Sequence, residues 1–227
     1  MAQKNMIDGE IPVQVFLPPS GTGPGLILVQ EIFGVSAYIQ ARAADLAALG
    51  YVVAVPQLYW RIGVDATPEE GDDMLAQAMA ASAALPWEDA VADTARSVAW
   101  VRERSDVVGG VGLIGFCYGG GVAFAAAAQV TPDVLISYYG SALPRLLDLA
   151  PQVPIPSLHH WGEQDAFIPL EAQREVKAAV VHDSSQEWFT HPGAGHAFDN
   201  PNPAFHHAQA SATAWDQTRD FLQRRLP

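Results

Sequence analysis

The segment Val111-Gly-Leu-Ile-Gly115-Phe116-Cys117-Tyr118-Gly119-Gly120-Gly121, followed by an alanine-rich run, constrains this chain more than any other. An apolar run suited to a strand leads into a glycine-bracketed turn and then into a helix, so the backbone must reverse sharply around one residue. A Cβ at Gly115 or Gly119 would collide across such a turn, which is the reason for glycine at the flanking positions. Cys117 stands at the apex, where a nucleophile sits in an elbow of this kind, and at the N-terminus of a helix whose dipole favours a thiolate. The competing reading is a small buried cysteine in a glycine-rich turn.

Around this elbow, β-branched and apolar runs alternate with segments of helical period, the rhythm of a parallel sheet covered by helices on both faces. Strands are predicted at Val13–Leu17, Gly25–Val29, Tyr51–Val55, Val111–Ile114, Val134–Tyr138, Ser157–His160 and Glu187–Thr190, several of them continuous apolar runs as expected of doubly buried strands. Ile39, Ala43, Leu46 and Leu49 recur at helical spacing before Gly50, and Val91, Ala95, Val98 and Val101 mark a second amphipathic helix. Thr67-Pro68-Glu69-Glu70 has the form of a capping box with proline at the first helical position, which predicts a helix from there toward Ser82. A last helix is predicted to dock through Ala208, Ala212, Trp215, Leu222 and Leu226. With 227 residues, no internal repeat and no break in composition, the chain reads as one α/β domain spanning residues 1–227.

Composition narrows the function classes. Twelve Lys and Arg against 25 Asp and Glu give a net charge of −13 without a basic cluster, a surface that repels a phosphate backbone, so nucleic acid is excluded as a partner. A hydrophobic content of 49% against 16% charged residues excludes disorder as the main state. The uncharged run Val111 to Gln129 is broken by glycines and reads as strand, turn and helix rather than a membrane span. The segment MAQKNMIDGEIPV has no basic patch followed by an apolar stretch, and the single cysteine is a free thiol, so a cytoplasmic protein is expected. There is no GxGxxG after the first strand and no Walker sequence. The adjacent pairs His159-His160 and His206-His207 would point apart, so neither a nucleotide cofactor nor a metal is expected.

An elbow needs an acid and a histidine later in the chain, in that order. Asp165 lies 48 residues beyond Cys117, after the strand ending at His160, with Glu163 a rival acid in the same turn. His196 follows 31 residues after Asp165 in a glycine-bearing loop, and His191 at the end of the last strand competes with it. The second strand runs into Gln30-Glu31-Ile32-Phe33-Gly34. A carboxylate at Glu31 could take the thiol proton; the alternative is a solvated loop glutamate. The backbone N–H groups of Ile32 and Tyr118 are the candidate oxyanion donors. Tyr59 and Phe198 are candidate pocket-lining aromatics, set against the usual place of such residues in the core. Two other classes compete. A redox thiol protein would ordinarily need a resolving cysteine, and a binding scaffold would have no need of the full residue order.

Gln30-Glu31-Ile32-Phe33-Gly34, Leu58-Tyr59 with Arg61, Gly115-Phe116-Cys117-Tyr118-Gly119-Gly120, Tyr138-Tyr139-Gly140, Gly162-x-x-Asp165 and Gly195-His196-x-Phe198 together resemble the dienelactone hydrolase (carboxymethylenebutenolidase) family, in order and over nearly the whole chain. The resemblance implies an α/β-hydrolase fold with a mostly parallel central sheet and helices on both faces. It implies a Cys117–His196–Asp165 triad, Glu31 as the thiol-activating carboxylate, and Arg61 as the arginine that holds a substrate carboxylate. The activity that follows is hydrolysis of a small activated ester or lactone through a thioester, by a monomer without a cofactor. One position departs from the pattern. The family enzyme acting on dienelactone carries a second carboxylate-binding arginine two residues after the phenylalanine of the histidine loop, whereas Asp199-Asn200 follows Phe198 here. An aspartate there is expected to repel an anionic substrate, dienelactone included.

Overall fold

A computed structural model describes residues 2–227. Eight strands form one sheet in the order β1-β2-β4-β3-β5-β6-β7-β8. These are β1 (Gln3–Ile7), β2 (Ile11–Phe16), β3 (Gly23–Val29), β4 (Val52–Pro56), β5 (Val107–Phe116), β6 (Val134–Tyr138), β7 (Ser157–Gly162) and β8 (Gln186–His191). β1 and β2 pair antiparallel at one edge, and every pairing from β4 to β8 is parallel. The fold is that of an α/β-hydrolase.

The strands are apolar on both sides because both sides are covered. Along β3, Ile27 and Val29 face one core while Leu26 and Leu28 face the other; along β5, Val111 and Leu113 face the first and Ile114 and Phe116 the second. The first core is closed by α3 (Trp87–Arg102), α4 (Tyr118–Val130) and α5 (Leu170–Val180), and the second by α1 (Ala37–Ala48) and α6 (Ala208–Arg225). Side-chain alternation along each strand thus fills two layers from one continuous apolar run. No helix is long and apolar enough to cross a membrane among the described residues.

Three expectations are corrected. The first strand of the sheet, β1, is absent from the sequence reading because its Gln3, Lys4 and Asn5 lie on an edge and mostly face solvent. The helix expected from Thr67 begins at Met74, as α2 (Met74–Ala84). Glu69 does not cap that helix; its Oε2 accepts from the Ala37 N–H at 2.9 Å, so it serves the first turn of α1, while Thr67 N–H donates to the Phe33 carbonyl at 3.0 Å. The C-terminal helix is present, but its buried stripe is Ala210, Ser211, Ala214, Thr218, Phe221 and Leu222, with Ala208 and Ala212 exposed. Ser211 and Thr218 can be buried because each hydroxyl is partnered, Ser211 with Asp199 at 2.6 Å and Thr218 with Tyr138 at 2.7 Å.

Candidate active site

Cys117 is the residue between β5 and α4, with φ 52° and ψ −114°, a conformation that side-chain-bearing residues rarely adopt. The surroundings fix it. Its N–H donates to the Tyr138 carbonyl at 2.9 Å, and its own carbonyl accepts from Gly120 at 3.0 Å and Ser141 at 3.1 Å. A Cβ on Gly115 would strike the Gly119 carbonyl, and a Cβ on Gly119 would strike the carbonyls of Val29 and Gln30. Glycine at the elbow therefore does more than permit the turn. It lets α4 begin directly against the end of β3, which brings the Glu31–Gly34 loop beside the thiol.

The other two partners come from the ends of β7 and β8. Asp165 Oδ1 accepts from the N–H groups of Phe167 at 2.8 Å and Ile168 at 3.0 Å, so the carboxylate cannot rotate away. Its Oδ2 meets His196 Nδ1 at 2.7 Å, and His196 Nε2 lies 3.1 Å from Cys117 Sγ. The two loops are tied together by the Gln164 N–H, which donates to the Ala194 carbonyl at 2.8 Å. The rivals are engaged elsewhere: Glu163 is exposed and accepts from the Gly193 N–H at 3.3 Å, while His191 is buried with Nε2 3.1 Å from His160 Nδ1. No group of three or more His, Cys, Asp or Glu side chains placed to hold a metal occurs among the described residues.

Electrostatics link the three side chains. Burial alone would push the His196 pKa down, but the neighbouring Cys117 charge and the hydrogen bonds to Asp165 and Cys117 outweigh it and raise the pKa to about 10. An imidazole that holds its proton this firmly presents Nε2 to the Cys117 sulfur and Nδ1 to Asp165.

The Tyr118 amide belongs to the elbow itself, and the Ile32 amide to the loop after β3. Tyr118 is the first residue of α4, so its N–H has no acceptor within the helix. The Ile32 peptide is held by the Tyr59 hydroxyl, which donates to the Ile32 carbonyl at 2.7 Å, and by the Gly34 turn, whose N–H donates to Glu31 O at 3.1 Å. Tyr59 is fully buried, and its place is that of a support for this loop rather than the substrate-lining residue expected.

Glu31 is not a solvated loop residue. It is 1% exposed, and its Oε1 accepts from Asn200 Nδ2 at 2.6 Å. Burial lifts its pKa from 4.5 to about 8 against the Asn200 hydrogen bond, which pulls it down. The folded protein therefore holds a proton that the unfolded chain releases above its ordinary value, so Glu31 favours folding at low pH and that contribution is lost as pH rises through about 8. Glu31→Gln should then gain stability relative to the parent as pH increases from 5 to 9. Denaturant unfolding of both proteins across that range checks this, and parallel stability profiles would refute it.

Three further expectations are corrected. Arg61 is not a free cation: Nε and Nη2 bind the two oxygens of buried Asp93 at 2.9 and 2.8 Å, on α3. Phe198 is fully buried beneath Tyr139 and His191, with ring centroids 5.1 and 4.9 Å away, and does not face substrate. Asp199 is likewise buried and bound by Arg42 at 2.6 and 2.8 Å, so its charge is matched and does not repel a substrate. Asn200, overlooked as a partner, is the residue that contacts Glu31. Nothing in a single sequence links positions 31 and 200.

A doubly covered, largely parallel sheet with a strained elbow at its centre defines the α/β-hydrolase class. The model of the dienelactone hydrolase family matches residues 11–226, and the chain belongs to that family. It is 32% identical over 222 residues to carboxymethylenebutenolidase of Pseudomonas sp. strain P51, covering 96% of this chain and 92% of that protein. It is 31% identical over 206 residues to that of Pseudomonas putida, covering 90% and 87%. Among solved structures, a dienelactone hydrolase-like promiscuous phosphotriesterase from metagenomic libraries superposes with a TM-score of 0.80 at 19% identity, covering 100% of this chain and 99% of that one. Dienelactone hydrolase from Anabaena variabilis does so at 0.69 and 17% identity, covering 100% and 98%. These two likenesses concern the fold.

Proposed function

We propose that the protein hydrolyses activated esters or lactones with Cys117 as nucleophile. The observation that carries this reading is the chain of contacts Cys117 Sγ–His196 Nε2–Asp165, 3.1 and 2.7 Å, at a strained elbow. The thiolate attacks the carbonyl carbon, and the oxyanion that forms is received by the N–H groups of Ile32 and Tyr118. As the C–O bond breaks, His196 gives its Nε2 proton to the leaving oxygen, leaving an acyl thioester on Cys117. Neutral His196 then takes a proton from water as the hydroxide attacks the thioester, and the thiolate is expelled beside the imidazolium it began with. Asp165 keeps the imidazole in one tautomer and stabilises its charged form throughout.

The nucleophile restricts the substrate. A thiolate leaves a tetrahedral intermediate more readily than a simple alkoxide, so productive collapse requires an enol, aryl or thiol leaving group. An aryl ester should therefore give a burst of one phenol per Cys117 followed by slower turnover, with the acyl mass found on the Cys117 peptide. Linear kinetics with no acyl adduct, or peroxide-dependent loss of the thiol without ester turnover, would oppose this reading and favour a scaffold or a redox role respectively.

Charge restricts it further. With Arg61 committed to Asp93 and Arg42 to Asp199, neither arginine is free to hold a carboxylate. A charged hydrogen bond of that kind contributes roughly 1.5–3 kcal/mol, about ten- to a hundredfold in binding. A neutral lactone ester should accordingly be preferred to its carboxylate analogue. The comparison is kcat/KM for dienelactone against its methyl ester, and a strong preference for the acid would show that another cation serves the site.

A further inference from the structure

Phe167 is 64% exposed, the most exposed large aromatic side chain described, yet it stands beside a buried triad. Its position is not that of a loose loop tip. The Phe167 N–H is held by Asp165 Oδ1 at 2.8 Å, and the next residue, Ile168, is anchored both by the same oxygen at 3.0 Å and by its own burial in the core under α5. The backbone therefore cannot swing the ring inward to hide it. The ring is presented to solvent by the same hydrogen bonds that orient the catalytic acid.

The ring lies 5.1 Å, centroid to centroid, from the His196 imidazole, at an interplanar angle of 58°. The other aromatic neighbour of the imidazole, Tyr139, is fully buried at 5.2 Å. Of the two aromatic rings against His196, only Phe167 can be met by a molecule arriving from solvent. His196 Nε2 must reach the leaving oxygen, so the group attached to that oxygen passes over this histidine. Phe167 is then the apolar surface it meets.

We propose that Phe167 is a specificity-determining residue of the leaving-group site and selects planar, uncharged aryl groups. The inference rests on the hydrolase reading given above and adds to it the chemistry of one side of the substrate. A flat ring stacked on Phe167 removes apolar surface from water on both partners, whereas a two-carbon enol is too short to cover it. The contact is made before and during acyl transfer alike, so it acts through KM rather than kcat.

The test uses the full-length protein with 1-naphthyl acetate and vinyl acetate, two activated esters that deliver the same acetyl group to Cys117. For Phe167→Ala the ratio of kcat/KM for naphthyl over vinyl should fall about tenfold, with the change in the naphthyl KM. Phe167→Trp should hold or raise the ratio, and the rate of Cys117 alkylation by iodoacetamide reports whether the triad region is intact in each variant. An equal loss on both esters would assign Phe167 to support of His196 and overturn the subsite while leaving the hydrolase reading in place. An unchanged ratio in both variants would overturn it as well. Absence of turnover by the parent protein with both esters would end the hydrolase reading, and the subsite with it.

Discussion

Cys117→Ala is expected to lower aryl ester turnover by about a thousandfold or more, the usual scale for removal of a group that works as part of a unit. The alanine keeps the elbow: a Cβ already occupies this position at φ 52°, and the hydrogen bonds that fix the turn run through the backbone of residue 117. His196→Ala should lose a comparable amount, because both the proton for the leaving group and the base for water are removed. Asp165→Asn is the most informative of the three. The Phe167 and Ile168 amides require an acceptor at Oδ1, so the new side chain must keep its oxygen there and turn its NH2 toward His196. That places a donor against Nδ1, forces the proton to Nε2 in the neutral ring, and leaves no acceptor for the hydroxide-forming step. Near-native folding by circular dichroism with turnover down by a large factor is the expected outcome for all three. A Cys117→Ala protein with the parental rate would overturn the nucleophile assignment.

The parts of this site that are legible in the sequence are those set by local geometry. Gly115 and Gly119 are dictated by collisions within one turn, and the Asp165 and His196 loops follow apolar strands whose ends can be read from composition, as with β6, found at Val134–Tyr138 as expected. What resists reading depends on partners far along the chain. Arg61 looks like a free cation until Asp93, a carboxylate on a helix otherwise buried through Val91, Ala95 and Val98, is seen to receive it. Glu31 looks like a surface residue until Asn200, 169 positions away, covers it. The stripe of α6 is misread for the same reason, since Ser211 and Thr218 are buried only by virtue of hydrogen bonds to Asp199 and Tyr138. The strand β1 did leave a signal: Asp8-Gly9, at φ 52° and 74°, is a tight hairpin turn joining it to β2, and Asp-Gly is the dipeptide that such a turn prefers.

Asp199→Ala is expected to be among the most destabilising single substitutions in the protein. The carboxylate is fully buried and takes four hydrogen bonds: Arg42 Nη2 at 2.6 Å and Ser211 Oγ at 2.6 Å on Oδ1, and Arg42 Nε at 2.8 Å and Tyr38 Oη at 2.5 Å on Oδ2. It thereby ties α1 and α6 to the loop that carries His196. Truncation strips a mostly buried guanidinium of its buried counter-charge, leaving it only the exposed Asp45 at 3.1 Å, and removes the short acceptor of two hydroxyls, a loss of about 3–5 kcal/mol for the broken pair. At roughly 2–4 °C per kcal/mol for a domain of this size, Tm should fall by about 6–20 °C. The exposed pair Arg219–Asp216, 3.0 Å apart, supplies the contrast, and Arg219→Ala should shift Tm little. Because the penalty arises from the charge left behind rather than from the pair itself, Arg42→Leu combined with Asp199→Leu should cost less than the sum of the single changes. Thermal melts of the two single variants and the double variant form the cycle that measures this. Single variants melting within a degree or two of the parent would show that Asp199 is not what joins the two helices to the His196 loop.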